Sequence, residues 1–591
     1  MIDEIPFALR PVLEAIDDCA RTTLLSPWTK DARRRWVLGF SARLSVAPTD
    51  FIKEDSAWYL VVEDDQPRPK VTIFPAADGG ITATFPHQSA NLPASPGSLW
   101  HLGNPCLERP EAAFKRDEVT GEPDELSERI IWRVGRLLSW IDAAAAGRLL
   151  TSDDPVELPS FNTKATPVLG FIERREDLPG WIERIGKWGF ARTGAVRGAY
   201  SHRQIIDFMS EGMHLFKEEA LAKGGCDLPV DAIWIMLLAA PIVAPWQCPR
   251  TWRELSTLLD GMEIDLSEIF RDAGSRTRMS SKTSLNRLLL GFPLQEKIGH
   301  EPERVHWVAA EHLGLSDSKT SKRGFRPMES NRLRWDAAKA LSADSIRWVK
   351  TSNWASDQIR TRGEAEDVVK ASRVLIIGAG AIGSAVAESL ARSGVCQIGI
   401  IDNDLLEVGN LSRHTLGVSD CGHGKAVGVA TRLNDCAPDV MATSYMTNFP
   451  PSDRRVVEAV QAYDVIIDCT GSDAVLEAMA NFDWKSEKVF ISLSIGWGAK
   501  ELFCFAASET SFPVVDALDR FSQNISFRPD VGSANREGIG CWHPVFPATA
   551  DDIQLWSAIA TKFVRRTIVE RSRRCDVYRL SDDGAVAVVH G

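Results

Sequence analysis

Residues 372–426 read SRVLIIGAGAIGSAVAESLARSGVCQIGIIDNDLLEVGNLSRHTLGVSDCGHGKA, and this stretch decides the fold of the C-terminal part of the chain. The apolar run at residues 374–378 is typical of a parallel strand that is buried on both faces. A helical pattern at residues 381–393 and a second apolar strand at residues 397–402 follow it. The alternation continues with elements expected at residues 425–436, 465–469, 473–481 and 489–493. This order predicts an α/β domain with a doubly wound, Rossmann-like sheet.

Three glycines at the first strand–helix junction, Gly378, Gly380 and Gly383, fit the GxGxxG pattern of nucleotide-binding turns. Glycine permits a tight turn and close approach of the backbone to phosphate, and the helix N-terminus supplies N–H donors. Asp402 ends the second strand about twenty residues later, where a carboxylate binds ribose hydroxyls. These residues fit NAD as well as ATP, and a tight turn without a ligand is a third interpretation.

The residues that follow Asp402 separate the two nucleotides. Asn410 and Arg413 lie in the string NLSR, and Lys425 follows Gly424. Hydride transfer from NAD does not need a fixed arginine and lysine here. Adenylation does, because negative charge develops around the α-phosphate while pyrophosphate leaves. The three side chains therefore favour adenylation of a carboxylate by ATP over a NAD-dependent dehydrogenase.

The string IDNDLLEVGNLSRH, followed by GHGKA, resembles the adenylating domain of ThiF, MoeB and the ubiquitin-activating enzymes over residues 373–505. The resemblance implies that Asp402 binds the ribose of ATP. It also implies phosphate binding by Asn410, Arg413 and Lys425, with ATP and Mg²⁺ as cofactors and a homodimer as the assembly. The implied reaction is attack of a protein's C-terminal carboxylate on ATP, which gives an acyl-adenylate and pyrophosphate.

One position departs from that family and concerns the metal. The family has Asp-Cys-Thr-Asp after a later strand, and its last Asp serves Mg²⁺, whereas this chain has DCTG, ending at Gly471. Mg²⁺ prefers carboxylate and phosphate oxygens, so either Asp404 or Asp473 could hold it instead. The sequence does not choose between them.

Cys541, in the string GIGCWHP, is the first candidate nucleophile. In the ubiquitin-activating enzymes a cysteine captures the adenylate as a thioester, and the preceding glycines here allow an exposed thiol. His543 could either lower the pKa of this thiol or simply form a hydrogen bond nearby. A packed loop cysteine is the alternative. Cys396, Cys469 and Cys504 lie in or beside apolar strands and are expected in the core.

Cys106, in the string WHLGNPCLE, is the second candidate nucleophile, with a buried or incidental thiol as the alternative. It follows a predicted helix, strands and a Phe-Pro segment, an order that resembles ubiquitin-conjugating enzymes. Their His-Pro-Asn motif lies several residues before the cysteine. Here His101 and Asn104 stand close to Cys106, which puts an oxyanion role for Asn104 in doubt.

We predict three domains. Residues 1–150 form the α+β ubiquitin-conjugating-like domain, residues 151–350 a mixed linker or recognition domain, and residues 351–591 the adenylation domain with its cysteine segment. The first domain is expected to have helices at residues 6–20 and 127–150 and strands at residues 36–46, 57–63, 71–75 and 81–85. In the second, helices are expected at residues 179–187 and 204–223 and a buried apolar element at residues 230–243.

Composition excludes several classes of protein. The chain has 591 residues and a net charge of −12, which argues against a broad nucleic-acid interface. No apolar run approaches the ~18 residues of a membrane span, and the N-terminus lacks the pattern of a signal peptide. The eleven cysteines include no CxxC pair, so a four-thiolate zinc site has no support. We expect a cytoplasmic protein that binds neither nucleic acid nor membrane.

A conjugating-like domain and an activating-like domain on one chain resemble the bacterial fusion proteins of cyclic-oligonucleotide antiphage signalling (CBASS). That resemblance implies a relay. The C-terminus of a protein, either a nucleotidyltransferase or a ubiquitin-like protein, is adenylated, captured on Cys541, transferred to Cys106 and conjugated to a target amine. The alternatives are a sulfur-carrier or ubiquitin-like-protein adenylyltransferase without conjugation, and an inactive adenylation fold used for binding.

Overall fold

The structure is a computed structural model of the whole chain, and it describes most of the residues. The described residues are 5–63, 68–93, 96–107, 121–161, 167–196, 202–210, 213–216, 228–277, 285–316, 328–525, 536–537, 543–544 and 546–590. They fall into two compact units, the first ending at Asn353 and the second beginning at Trp354. Within the described part of the chain, no helix is both long and apolar enough to cross a membrane.

The first unit begins with a four-stranded antiparallel meander and two helices. Its elements are α1 (Arg10–Asp18), β1 (Thr22–Lys30), β2 (Trp36–Arg43), β3 (Asp55–Glu63), β4 (Lys70–Pro75) and α2 (Leu126–Ala145). The strands pair in the order β1-β2-β3-β4. Apolar residues of α1 and α2, such as Val12, Ile130 and Ile141, pack on Phe40 and Trp58 of the sheet and form its core.

The rest of the first unit is built on an eight-stranded mixed sheet. Its elements are β5 (Val168–Phe171), α3 (Leu178–Ile182), β6 (Trp188–Ala195), β7 (Arg203–Ser210), β8 (Met213–Phe216), β9 (Ala232–Met236), α4 (Trp252–Asp260), α5 (Leu266–Thr277), β10 (Arg287–Leu294), β11 (Arg304–Glu311), α6 (Glu329–Ala340) and β12 (Arg347–Asn353). The strand order is β5-β12-β11-β10-β9-β6-β7-β8, and β5 also pairs with β7. Two buried clusters, one on each face of this sheet, form its core.

The second unit is a doubly wound sheet, as predicted. Its elements are α7 (Ser356–Ile359), α8 (Asp367–Lys370), β13 (Arg373–Ile377), α9 (Ala381–Ser393), β14 (Gln397–Ile401), α10 (Lys425–Cys436), β15 (Met441–Tyr445), α11 (Arg454–Gln461), β16 (Val465–Asp468), α12 (Asp473–Asn481), β17 (Lys488–Ile495), β18 (Glu501–Glu509), α13 (Val514–Asn524), β19 (Arg536–Glu537), β20 (His543–Pro544), α14 (Ala550–Glu570), β21 (Arg574–Leu580) and β22 (Val586–His590). The main sheet has the order β15-β14-β13-β16-β17-β18-β21-β22 and is parallel from β15 to β17.

Both faces of this sheet are covered by helices. Val374 and Ile376 of β13 face α9, α10 and α14, whereas Leu375 and Ile377 face α11, α12 and α13. Alternate residues of one strand therefore belong to two different cores, which explains why the strand is continuously apolar. The carboxyl ends of β13, β14, β16 and β17 meet at one edge, where such sheets bind ligands.

Two expected elements of the first unit are wrong. Residues 204–223 were expected to be helical, but their described part contains most of β7 and the whole of β8. Residues 81–85 were expected to be a strand, but Asn91 Nδ2 donates to the carbonyls of Ile81 and Ala83 at 2.8 and 3.1 Å. A side-chain amide thus takes the place of ladder hydrogen bonds, and the segment is a loop.

Candidate active sites

The glycine-rich turn after β13 has the conformation that its sequence requires. Gly378 has φ +94°, and a Cβ on Gly383 would lie 1.9 Å from the carbonyl oxygen of Gly378. A Cβ on Gly380, by contrast, would meet no atom within 4 Å. The first and third glycines therefore close the turn. The second leaves open space in front of the N-terminus of α9, where a phosphate is stabilised by backbone N–H groups.

Asp402 is tied to this turn by its side chain. Its Oδ2 accepts a hydrogen bond from the Ala379 N–H at 2.7 Å, and its Oδ1 accepts one from the Asp404 N–H at 2.7 Å. The carboxylate at the end of β14 is thereby held beside the glycine turn. Each oxygen retains a further acceptor position, which suits the ribose hydroxyls expected there.

Lys425 is the first residue of α10 and lies close to Asp404. Its Nζ is 2.9 Å from Asp404 Oδ2, and its N–H donates to the Asp404 carbonyl oxygen at 2.9 Å. The lysine side chain is only 13% exposed, whereas that of Asp404 is 72% exposed. Two predicted site residues are thus brought together, and the exposed carboxylate of Asp404 positions the Lys425 ammonium group at the cavity wall.

Arg413 and Asn410 lie in the short helical turn between β14 and α10. Asn410 Oδ1 accepts a hydrogen bond from the Glu407 N–H at 3.1 Å, which closes that turn. Arg413 donates through Nη1 to the Phe546 carbonyl oxygen, and its guanidinium lies over the Phe546 ring at 5.9 Å from the centroid. Phe546 was not predicted, because nothing in its local sequence marks it as a partner of Arg413.

His414 is a second residue that sequence reasoning missed. Its Nε2 is 2.7 Å from the carbonyl oxygen of Ala379, and its Nδ1 accepts from the Leu416 N–H at 3.1 Å. These partners require a neutral ring with the proton on Nε2. Burial is the main cause that lowers the pKa of His414 and keeps it neutral. The ring therefore connects the Arg413 turn to the glycine turn.

A cavity of about 880 Å³ joins these side chains to an apolar region. One half is polar and is lined by Gly380, Asn410, Arg413, His414, Lys425, Thr470, Gly471 and Asp473. The other half is apolar and is lined by Leu493, Ile495, Trp497, Phe503, Leu518, Phe521, Ile525, Phe546 and Ile553. Glu501 also lines it, but its carboxylate is neutralised by Arg579 Nε at 2.9 Å. The cavity is large enough for a nucleotide and part of a polypeptide tail.

The DCTG segment forms the floor of the polar half. Asp468 Oδ1 accepts from the Thr470 N–H and hydroxyl at 3.1 and 2.6 Å, and Oδ2 accepts from the Ser492 hydroxyl at 3.0 Å. Asp468 is buried and both its carboxylate oxygens accept from these donors, so its side chain holds the turn; burial also raises its pKa. Gly471, with φ +63°, offers no ligand.

The two carboxylates considered for Mg²⁺ differ in their surroundings. Asp473 is the exposed first residue of α12 and lines the cavity, whereas Asp404 is paired with Lys425. Among the described residues no group of three or more His, Cys, Asp or Glu side chains could hold a metal ion by itself. This fits Mg²⁺, which commonly uses one or two carboxylates together with substrate phosphates and water.

Cys106 is exposed and lies at the end of a short two-stranded pairing in the first unit. The Cys106 N–H donates to the His87 carbonyl oxygen at 2.7 Å, and the Ser89 N–H donates to the Asn104 carbonyl oxygen at 3.1 Å. Neither ring nitrogen of His101 has a hydrogen-bond partner within the described part of the chain. The two backbone hydrogen bonds place His87 opposite Cys106, and sequence reasoning missed this histidine.

The other candidate thiol, Cys541, lies outside the described residues, as do the glycines before it. The three cysteines expected in the core differ in burial. Cys504 is buried, Cys469 and Cys396 are half-buried, and burial raises the pKa of Cys469 well above its usual value. A thiol with a raised pKa is a poor nucleophile at neutral pH. Cys469 lines the cavity but is not set up to capture an acyl group.

Comparisons with known proteins cover the whole chain. The model of the Cap2 central linker domain matches residues 147–354, and that of the ThiF family matches residues 355–497. The ATP-dependent ubiquitin transferase-like protein Cap2 of Enterobacter hormaechei subsp. hoffmannii is 44% identical over 591 residues, which is 99% of this chain and 98% of that protein.

Two other similarities are partial. The adenylyltransferase and sulfurtransferase UBA4 of Debaryomyces hansenii is 36% identical over 107 residues, 18% of this chain and 23% of that protein. The crystal structure of E. coli MccB with AMPCPP and MccA has 18% identity and a TM-score of 0.28, over 38% of this chain and 65% of that chain.

Proposed function

Because this chain belongs to the Cap2 family of ATP-dependent ubiquitin transferase-like proteins, we propose that it activates a protein's C-terminal carboxylate and conjugates it to an amine through two cysteines. It is an ATP-dependent activating and conjugating enzyme, and residues 355–497 are its ThiF-type adenylation domain. We propose that the acyl group passes through four forms in turn: an acyl-adenylate, a thioester on Cys541, a thioester on Cys106, and an amide.

The first step would take place in the cavity beside the glycine turn of the second unit. A carboxylate oxygen of the substrate attacks the α-phosphorus of ATP, and the bond to the β-phosphate breaks so that pyrophosphate leaves. Arg413 and Lys425 line the polar half of the cavity, where two cations would stabilise the charge that develops on the phosphates. Asn410 lies in the same half, where its side-chain amide can add a hydrogen bond to a phosphate oxygen.

The order of strands supports separate places for nucleotide and substrate. Asp402 follows β14, on one side of the glycine turn after β13. The apolar half of the cavity is built from β17, β18, α13 and α14, on the other side of that turn. The nucleoside then lies toward β14, and the last residues of the substrate enter through the apolar half. The α-phosphate is between them.

The later steps move the acyl group without further ATP. The Cys541 thiolate attacks the acyl carbon and AMP leaves; the Cys106 thiolate then attacks the thioester and Cys541 leaves. An unprotonated amine of the acceptor finally displaces Cys106 and forms an amide. Cys106 is exposed, which suits both transfers.

We also propose the substrate, the metal, the assembly and the nucleotide-binding residues. The activated protein is a nucleotidyltransferase of a cyclic-oligonucleotide antiphage system, Mg²⁺ accompanies ATP, and the enzyme works as a cytoplasmic homodimer. Asp402 binds the ribose, and Gly378, Gly380 and Gly383 shape the phosphate-binding turn. The alternative, adenylation without conjugation, predicts that the first unit only docks the substrate.

A non-reducing gel tests the relay. The full chain is incubated with ATP, Mg²⁺ and a purified candidate nucleotidyltransferase. Wild type should form a thiol-sensitive adduct. With Cys541→Ala no thioester should form, and with Cys106→Ala the adduct should stop at Cys541. Cys248→Ala is the control for a thiol outside the relay. If neither variant changes the adduct, the relay is wrong. If ATP–pyrophosphate exchange persists with no adduct, adenylation without conjugation is the better description.

A further inference from the structure

We propose that His87, held by Glu157, is the acid–base group for acyl transfer at Cys106. This inference rests on the role of Cys106 in the proposed function and adds a residue to it. It follows from the backbone pairing of His87 with Cys106 and from the hydrogen bonds that fix the imidazole.

The pairing places His87 directly opposite Cys106. Gln88 and Pro105 form an antiparallel bridge, and the hydrogen bond from Cys106 N–H to His87 O, at 2.7 Å, is the next one along the ladder. The two residues are therefore neighbours across an isolated bridge. A backbone hydrogen bond of 2.7 Å keeps His87 and Cys106 close enough for the imidazole to serve the thiol or its thioester.

Glu157 fixes the orientation of His87. Its Oε2 lies 3.0 Å from His87 Nδ1 and also accepts from the His87 backbone N–H at 3.0 Å, while Oε1 accepts from the same N–H at 3.2 Å. A carboxylate on Nδ1 fixes the ring tautomer and leaves Nε2 for proton transfer. The carboxylate and imidazole are thus paired, and Cys106 stands opposite them across the backbone hydrogen bond. A carboxylate, an imidazole and a thiol together activate nucleophiles elsewhere.

The backbone of His87 supports a functional interpretation. Its φ of +56° lies in the left-handed region, which non-glycine residues adopt at a cost and mostly at special positions. Its side chain is 48% exposed, so an incoming acyl group can reach it. The other titratable groups near it are Glu157, Asp154 and Cys106 itself. His101 is closer in sequence, but its ring nitrogens are buried without a partner among the described residues.

Each transfer moves one proton through His87. His87 accepts the proton of the Cys106 thiol as sulfur attacks the acyl carbon of the donor thioester, and the donor thiolate leaves. His87 then gives this proton to the departing thiolate or to water and is neutral again. In the second transfer the acceptor amine attacks, His87 accepts the amine proton, and Cys106 leaves as the thiolate. No oxidant, reductant or metal is needed in either step.

The test uses a defined acyl donor, so it does not depend on the natural substrate. Full-length chain with Cys541→Ala is acylated by the mercaptoethanesulfonate thioester of a short peptide, and mass spectrometry identifies the modified cysteine. Nα-acetyl-lysine amide is then added as the acceptor. Both rates are measured from pH 5.5 to 8.5. His87→Asn is the test variant, because asparagine tolerates positive φ and keeps the backbone N–H that Glu157 binds.

His87→Asn should slow both transfers by about 100-fold and change the shape of their pH profile, because the acid–base group is lost. Glu157→Gln should give a smaller loss. His300→Asn is the matched control, since His300 is an exposed histidine paired with Asp153 at 2.6 Å in the same unit. Rates and pH profile unchanged in His87→Asn would overturn the inference. If Cys106 is not acylated even in the parent chain, the proposed function fails instead.

Discussion

Lys425 Nζ lies 2.9 Å from Asp404 Oδ2, and the backbone N–H of Lys425 also donates to the Asp404 carbonyl oxygen. The double contact fixes the first residue of α10 beside the loop after β14. Because the Asp404 side chain is largely solvated, the ion pair itself contributes little to stability. The ion pair instead positions the Lys425 ammonium group at the polar end of the cavity.

The first prediction concerns Lys425. Lys425→Met should lower kcat/KM for ATP–pyrophosphate exchange by about 100-fold, because the charge on the leaving pyrophosphate loses a stabilising cation. The change in melting temperature should be small. Lys485→Met is the matched control, since Lys485 is an exposed lysine paired with Asp483 away from the cavity. Equal losses in both variants would contradict a specific role for Lys425.

The second prediction separates the two candidate metal ligands. Asp473 lines the cavity, whereas Asp404 is engaged by Lys425. We therefore expect Asp473→Asn to raise the Mg²⁺ concentration for half-maximal exchange about tenfold, since one carboxylate ligand is lost. Asp404→Asn should leave that concentration nearly unchanged. A Mg²⁺ titration at fixed ATP measures both, and the reverse pattern would assign the metal to Asp404.

The third prediction concerns the apolar half of the cavity. Leu518 of α13 lines it, and a large apolar side chain near the end of the substrate tail would be buried there. Leu518→Lys should raise KM for the protein substrate about tenfold or more, since burying such a side chain is worth about 1.5–3 kcal/mol. The KM for ATP should not change.

Val515→Lys is the control for this variant, because Val515 lies on the same helix, is 71% exposed and does not line the cavity. Exchange assays at saturating ATP and varied substrate distinguish the two variants. If KM for ATP rises and KM for the substrate does not, the nucleoside rather than the tail occupies the apolar half.

Local sequence predicted the second unit well because its signals are local. The glycine turn, Asp402 and the buried strands β13 and β14 lie within thirty consecutive residues or so, and their spacing alone determines the βαβ unit. The same spacing led to Asn410, Arg413 and Lys425, which the fold brings to one cavity. Their roles toward ATP remain predictions.

Sequence reasoning failed where distant residues decide the structure. β7 is buried along most of its length between β6 and β8, so it lacks the alternation that distinguishes a strand from a helix. β1 was missed because it carries Pro27, which an edge strand tolerates at an irregular register. Phe546 lies 133 residues from its partner Arg413, and Glu157 lies 70 residues from its partner His87. No local sequence pattern links pairs that are so far apart.

The last prediction concerns acid stability of the first unit. His306 of β11 packs edge-on to Phe171 at 5.3 Å and against Phe292 at 5.6 Å, and burial lowers its pKa to about 4. Between about pH 4 and the ordinary value of ~6.5, the unfolded chain binds a proton that the folded unit does not. This contribution to stability is therefore fully present above about pH 6.5 and is lost as the pH falls toward 4.

We expect the free energy of unfolding to fall by about 2 kcal/mol over this pH range. This is less than the full pKa difference would give, because part of His306 remains exposed. Hydrogen exchange of β11 in the full chain, compared at pH 4.5 and 7 after correction for the intrinsic rate, measures it locally. His306→Leu should remove this pH dependence, whereas the exposed control His300→Leu should retain it. An unchanged pH dependence in His306→Leu would show that another group in the first unit is responsible for its acid sensitivity.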